Sequence, residues 1–323
     1  MKISRSDRML AAYGKNPFSL NEYKKIAMGV LEAKFLEDAS VDVTVDAVIR
    51  EDLDSRGVIK SKEDGVLAGL EEISAFYKKH KVSVVKLKKD GCSLKKGDII
   101  AEITGKQSDL LRVERTGLNF LQRMSGIATQ TRKLAEITSP HNVMIVGTRK
   151  TFFNVMDKNA ITLGGGLSHR YGLFDAILIK DNHISAVGEE SGVTDRISTA
   201  LGRAFRFSTK SPPSFIEIET GSMEEAVHAA EAYSDLLRKG VGLANVPFII
   251  MLDNLKPSRI NKIVKELKKR KLYDLVLLEA SGGIQKKNIE AYAKSGVDAI
   301  SIGAITHSVP ALDISQKIVR VTT

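Results

Sequence analysis

From residue 143 onward the chain alternates short apolar runs with segments of helical spacing. Val143-Met144-Ile145-Val146, Ala176-Ile177-Leu178-Ile179, Phe215-Ile216, Phe248-Ile249-Ile250-Met251-Leu252, Leu275-Val276-Leu277-Leu278 and Ala299-Ile300-Ser301-Ile302 are short and nearly continuous in apolar residues. Strands buried on both faces of a parallel sheet read this way. Between several of them lie predicted helices. Ser222 and Glu225 form a capping-box pattern ahead of Ala226, Val227, Ala230 and Tyr233. Pro257 stands at the start of a segment in which Ile260, Ile263, Val264 and Leu267 recur at helical intervals, and residues 287–294 are followed by the helix stop Gly296. Strands alternating with helices predict a parallel sheet, open or closed. The notable polar residues stand where the apolar runs stop, which is where a β/α barrel builds its active site. A barrel, complete or incomplete, is therefore preferred to a doubly wound sheet.

The first third has another rhythm. Residues 20–36 read as a polar, helical opening, followed by short alternating runs at 57–60, 64–69, 81–88 and 98–103. Asp64-Gly65 and Asp90-Gly91 supply turns. Residues 71–79 predict one helix among these strands, giving a small α+β sandwich, and a helix over 114–137 leads into the barrel. Biotinyl and lipoyl carrier modules share the turn-rich rhythm, but no lysine here stands alone on a hairpin tip between small or apolar residues. The expected division is an α/β sandwich domain at 1–126, an α/β-barrel catalytic domain at 127–311, and a segment at 312–323 packing back on the sandwich.

Composition narrows the class. A chain of 323 residues that is 43% hydrophobic can bury one large core or two smaller ones. No apolar run approaches the roughly 20 residues that span a bilayer, and Met1-Lys2-Ile3-Ser4-Arg5-Ser6-Asp7 has no apolar signal region. Cys92 stands alone, which removes an internal disulfide and argues against a cysteine metal site. A cytoplasmic protein without membrane contact is expected. The net charge of +10 invites a nucleic-acid reading. Much of the surplus sits in lysine clusters such as Lys78-Lys79-His80-Lys81 and Lys268-Lys269-Arg270-Lys271, without interleaved aromatics and with no tryptophan in the chain. Stacking platforms for single strands need such aromatics, so a solvated surface is expected and no nucleic-acid partner.

The chemistry concentrates between Thr148 and His183. Thr148-Arg149-Lys150-Thr151, Gly164-Gly165-Gly166, His169-Arg170 and Lys180-Asp181-Asn182-His183 place cations at strand ends among glycines, a pocket for a small, highly anionic substrate. Downstream, Glu217 and Glu219, Asp253-Asn254, Glu279-Ala280-Ser281-Gly282-Gly283 and Gly303 follow later strands. Glu217 and Glu219 share one side of a strand, and Glu219 is the functional candidate of the two. Asp181 and Asn182 fit a helix cap as well as a site. His183 and His307 fit plain loop positions as well as functional ones, and Asp175 and Asp298 read as structural.

Several of these segments resemble one family. Glu114-Arg115-Thr116-Gly117-Leu118-Asn119-Phe120-Leu121-Gln122 with Ser125-Gly126-Ile127-Ala128-Thr129 resembles the bridging-helix motif of the carboxylating nicotinate-nucleotide pyrophosphorylases, or quinolinate phosphoribosyltransferases. The cationic motifs, Glu217-Ile218-Glu219, Leu252-Asp253-Asn254, the segment 279–283 and the segment 303–307 are similar to that family's in matching order, from about Leu36 to the C-terminus. The resemblance implies a sandwich followed by an incomplete α/β barrel, the type II phosphoribosyltransferase architecture, in a homodimer or larger oligomer. It implies that quinolinate and phosphoribosyl diphosphate give nicotinate mononucleotide, diphosphate and CO2 in NAD biosynthesis. Arg149, Lys150, His169, Arg170 and Lys180 would surround quinolinate, with Arg115 reaching in from the partner subunit. Glu219 and Asp253 would hold the ribose hydroxyls and a magnesium ion, directly or through water. Ser281, Gly282, Gly283 and Gly303, with His307 nearby, would cradle a phosphate. Lys150 or Lys180 would stabilise the carbanion left by decarboxylation.

The chain departs from the family pattern after Thr151, where Phe152-Phe153-Asn154-Val155-Met156 replaces the usual Pro-Gly and the loop is shorter. Segments 201–213 and 237–247 resemble insertions, the first basic through Arg203, Arg206 and Lys210 and expected near the barrel mouth. The alternatives are a related transferase acting on nicotinate or another base, and a regulatory or nucleic-acid-binding barrel without catalysis.

Overall fold

A computed structural model describes residues 4–188, 192–241 and 246–320. The first helix, α1 (Arg5–Tyr13), is capped by Ser4, whose hydroxyl accepts from the Asp7 amide. Then come α2 (Leu20–Ala39), with a complete capping box between Ser19 and Glu22, and α3 (Val43–Val48), capped by Asp42. The sandwich elements are β1 (Asp54–Ser61), β2 (Gly65–Val66), α4 (Leu70–Lys79), β3 (Ser83–Lys86), β4 (Ser93–Leu94) and β5 (Ile99–Lys106). The long helix α5 (Gln107–Thr138) follows. It begins earlier than the sequence predicts because Gln107 continues directly from β5.

Next come β6 (Met144–Val146), α6 (Asn154–Leu163), β7 (Ile177–Ile179), α7 (Asp181–Ser185), α8 (Val193–Ser208), β8 (Ile216–Thr220), α9 (Met223–Arg238), β9 (Phe248–Asp253), α10 (Pro257–Lys269), β10 (Leu277–Ser281), α11 (Ile289–Ala293), β11 (Ala299–Ser301) and α12 (Ala304–His307). The chain then forms β12 (Ile314–Arg320), which pairs antiparallel with β1. The capping box expected at Ser222 is half formed: Ser222 Oγ accepts from the Glu225 amide, while the Glu225 carboxylate accepts from Gly221 instead.

Two compact units result. One holds Phe18–Arg132, Val155–Gly165 and the chain from Ser308 onward; its four-stranded antiparallel sheet has the order β12-β1-β5-β3, with α4 packed on β3. The other holds the chain up to Pro17 with Lys133–Asn154 and Gly166–His307. Its sheet is parallel and six-stranded, in the order β6-β11-β10-β9-β8-β7. Leu167 extends it past β6 through a single bridge to Val146. Among the described residues nothing pairs this edge with β7, so the barrel stays open. The units depart from the expected divisions at 126/127 and 311/312 at the boundaries themselves, where residues 127–132 and 308–311 fall with the sandwich, and in two whole segments. The chain up to Pro17 belongs with the barrel, and Val155–Gly165 with the sandwich. The place of the first segment has a packing cause: Met9, Ala12 and Tyr13 are buried among Val146, Ala176, Phe215, Ile249, Leu277 and Ala299.

The basic segment 201–213 lies elsewhere than expected. Its first part is the second half of α8, and Ser214 beyond it donates to the Asp175 carbonyl, just before β7 begins. Arg206 and Lys210 therefore fall at the strands' N-terminal end, opposite the mouth, and Arg203 lies along the returning helix. Parallel strands require this, because each crossover helix carries the chain back to the start of the next strand. In the second segment, Leu237 and Arg238 close α9, and residues 242–245 lie outside the described residues.

Candidate active site

The barrel interior is layered. Phe215, Ile249, Leu277 and Ala299 form an apolar layer with α1. Two residues further along their strands, Glu217 and Glu279 point inward from the same faces, both fully buried. Two more residues along, Glu219 and Ser281 reach the strand ends, with Asp253 beside Ser281 in the register and Lys180 one residue past the Ile179–Ile218 pair. A cavity of about 550 Å³ opens there.

Arg149, Lys150, His169, Arg170, Lys180, Glu219, Asp253, Ser281, Gly282 and Gly283 all line this cavity. The sequence expected each of them in one site. Arg149 and Lys150 leave β6 in a short loop where the Lys150 amide donates to Thr148 Oγ1. Arg170 is buried, and its guanidinium is held below the usual arginine range, first by burial and then by the nearby charge of Arg149. Two cations that repel each other in the free protein form a strong receptor for a dianion, since the ligand removes the repulsion and supplies charge-assisted hydrogen bonds. Lys180 Nζ lies 2.9 Å from Glu219 Oε2.

The segment after β10 has the backbone of an anion cradle. Gly282 and Gly283 adopt φ +90° and +64°. A Cβ on Gly282 would stand 2.2 Å from Asn254 Oδ1, so a side chain is excluded by both conformation and space. Asn254, itself at φ +56°, donates from its backbone amide to the Ser281 carbonyl and from Nδ2 to Asp253 Oδ2, at 2.5 Å, fixing that carboxylate.

Three expected residues stand apart from the cavity lining. Gly303 packs against the ring of His307 and the stem of Lys150, and His307 is exposed. Arg115 is exposed on α5. His183 accepts the amide of Lys180, the N-cap of α7, through Nδ1, and Asp181, the first residue of that helix, accepts the Asn182 amide.

Beneath the cavity lies a polar cluster. Tyr13 Oη is 2.6 Å from Glu279 Oε2 and 3.0 Å from Glu217 Oε1. His169 Nε2 stands 3.0 Å from Glu217 Oε2 and 3.6 Å from Glu279 Oε2, while His169 Nδ1 accepts the Arg170 amide at 2.7 Å. Burial pushes the Glu217 carboxyl up to about 8. Burial and the charge of Glu217 push Glu279 up to about 7, and burial raises the Tyr13 hydroxyl well above its ordinary range. One tyrosine proton cannot serve two carboxylates, so the contacts need a carboxyl proton, which the raised values retain near neutrality. His169, Glu217 and Glu279 offer atoms within 4.8 Å of one another, the spacing of a metal site. The Tyr13 hydroxyl stands within hydrogen-bond distance of both carboxyls.

Sequence reasoning gave Tyr13 no part in the site, and it placed Thr148, Asn254 and Glu279 inside the site motifs without a role of their own. Glu279 and Asn254 carried a signal, since each closes an apolar run. Tyr13 carried none, because its partners are 204 and 266 positions away.

An open α/β barrel whose mouth gathers cations around a serine-glycine-glycine cradle defines an enzyme class built for phosphorylated, polyanionic small molecules. The profile of the quinolinate phosphoribosyl transferase C-terminal domain matches residues 127–317, and that of the N-terminal domain matches 42–125. A probable nicotinate-nucleotide pyrophosphorylase (carboxylating) of Archaeoglobus fulgidus is 38% identical over 271 residues, covering 83% of this chain and 95% of that protein. The chloroplastic nicotinate-nucleotide pyrophosphorylase (carboxylating) of Arabidopsis thaliana is 35% identical over 299 residues, 90% of this chain and 82% of its own. The structure of the nicotinate-nucleotide pyrophosphorylase from Francisella tularensis superposes with a TM-score of 0.76 at 30% identity, covering 92% of this chain and 97% of that one. The chain belongs to the quinolinate phosphoribosyltransferase family.

Proposed function

We propose that the protein transfers the phosphoribosyl group of phosphoribosyl diphosphate to quinolinate with decarboxylation. The products are nicotinate mononucleotide, diphosphate and CO2. The observation that carries this reading is the convergence of Arg149, Lys150, Arg170 and Lys180 on one cavity that also holds the Ser281-Gly282-Gly283 cradle. Two adjacent carboxylates on a pyridine ring need more than one cation, and a phosphate needs free backbone amides.

In the reaction the quinolinate nitrogen forms its bond to the ribose carbon as the bond from that carbon to the diphosphate oxygen breaks. The 2-carboxylate then leaves as CO2, and the electron pair left on the ring takes a proton. Arg149 and Arg170 grip the carboxylates and set the ring nitrogen toward the ribose carbon. Holding two reactants in line removes much of the entropic barrier. Glu219 and Asp253 bind the ribose hydroxyls. Lys150 and Lys180 border the ring, where either ammonium stabilises the developing carbanion. The amides of Ser281, Gly282 and Gly283 receive a phosphate, with Gly303 and His307 at its far side.

Glu219 and Asp253 are partly exposed carboxylates lining the cavity, a donor set that suits magnesium, which keeps most of its waters. They would hold that ion on the diphosphate, where it neutralises leaving-group charge. The reading includes a homodimer or larger oligomer in which Arg115 completes the partner's site. It also includes a cytoplasmic location, since both substrates are polyanions that do not cross a bilayer unaided; no helix among the described residues is long and apolar enough to span one. Purified protein given both substrates and magnesium tests the proposal: nicotinate mononucleotide must accumulate with turnover.

A further inference from the structure

Helix α1 precedes the first residue matched by either family profile, residue 42, yet it ends at the floor of the candidate site. Its far end is clamped to the barrel base. Arg5 Nε donates to Asp298 Oδ1 at 2.7 Å and another Arg5 nitrogen to the Tyr273 carbonyl, while Arg8 donates to the carbonyls of Asp274 and Leu275. The near end is Tyr13. Its ring stacks on His169 with centroids 4.5 Å apart, its hydroxyl meets Glu217 and Glu279, and its carbonyl accepts from Ser168 Oγ at 2.7 Å. Tyr13 itself is fully buried and does not line the cavity.

His169 holds a φ of +54°, which a residue with a side chain rarely adopts. It needs surroundings that determine it. Tyr13 supplies them from below: a ring under the imidazole, a carbonyl that accepts from the preceding serine, and a hydroxyl that holds the two carboxyls beside His169 Nε2. The Arg170 amide in turn donates to His169 Nδ1, and the charge of Arg170 acts on the Glu217 carboxyl. Tyr13 and Ser168, neither of which lines the cavity, thus lead through His169 to Arg170.

We propose that Tyr13 is a positioning residue for the anionic base, holding His169, and through it Arg170, in the geometry that grips a quinolinate carboxylate. This rests on the transferase reading above. It assigns the barrel's N-terminal helix a part in base recognition, apart from the phosphate cradle, whose glycines follow β10.

The test is steady-state kinetics of the full chain with Tyr13→Phe and Tyr13→Leu, both substrates varied, and folding checked by thermal melting. Loss of one hydrogen bond to a buried charged network corresponds to roughly tenfold. Tyr13→Phe, which keeps the ring, should therefore raise KM for quinolinate about tenfold. KM for phosphoribosyl diphosphate should stay within about twofold, and Tyr13→Leu should do more than Tyr13→Phe. If Tyr13→Leu fails to fold, Tyr13→Phe decides alone. An unchanged KM for quinolinate, or equal rises for both substrates, overturns the assignment while leaving the transferase reading intact. Wild-type protein that does not turn over quinolinate overturns both.

Discussion

Lys180 Nζ and Glu219 Oε2 stand 2.9 Å apart on neighbouring parallel strands at the cavity mouth. The lysine is 43% exposed and the glutamate 20%, so the pair contributes little to folding, about 0–1 kcal/mol. Its value lies in the site. The carboxylate holds the ammonium over the cavity before substrate arrives, which is preorganisation. Lys180→Ala should leave the melting temperature nearly unchanged and lower kcat/KM by about 10²–10³. A variant that melts well below wild type, or that keeps most of its activity, would place the pair's role in the scaffold.

Gly282→Ala tests the cradle. The new methyl would stand 2.2 Å from Asn254 Oδ1 on a residue at φ +90°, so both the backbone and the Asn254 contact must shift. The expected outcome is at least a tenfold rise in KM for phosphoribosyl diphosphate, with a much smaller effect on KM for quinolinate. Similar rises in both constants would mean that the segment after β10 does not bind phosphate.

Arg115 and Arg149 address subunit sharing. Each alanine variant alone should be nearly inactive. Mixed under conditions that exchange subunits, Arg115→Ala and Arg149→Ala should regain up to about a quarter of wild-type activity, because one hybrid site in each heterodimer carries both arginines. Verified heterodimers without activity would show that Arg115 serves no neighbouring site.

Burial of Glu279 predicts a pH effect on stability. Its folded value of about 7 lies above the ordinary 4.5, so the fold favours the protonated form. That contribution is full below about 4.5 and is lost as pH rises to about 7. Glu279→Gln, neutral at every pH, should therefore lose less stability than wild type across this window in chemical denaturation. Parallel curves for the two proteins would mean that Glu279 is already ionised in the fold at low pH.

The barrel and the mouth of its site were legible because they rest on local signals. An apolar run followed by Lys180, Glu219, Asp253 or Ser281 marks both a buried parallel strand and the group presented at its end. Glu217 and Glu219 share one side of their strand, so the pattern alone did not divide the buried acid from the half-buried one at the mouth. What could not be read were contacts set by chain return. The course of α8, which takes Arg206 and Lys210 to the barrel base, follows from where the next strand must start. The seat of α1 follows from the shape of the barrel interior. Tyr13 closes the short run Met9-Leu10-Ala11-Ala12-Tyr13 of an arginine-bearing helix, a run that names no partner, and only three-dimensional packing brings it under His169.

The measurement that bears most directly on the account is CO2 release and nicotinate mononucleotide formation from quinolinate, phosphoribosyl diphosphate and magnesium, with nicotinate assayed in parallel. The cationic pocket predicts one CO2 per nucleotide from quinolinate. It also predicts discrimination against nicotinate of roughly 10⁴-fold or more, because a missing carboxylate leaves cations unpaired in the site. Turnover of nicotinate at a comparable rate, or nucleotide formed without CO2, would contradict the account.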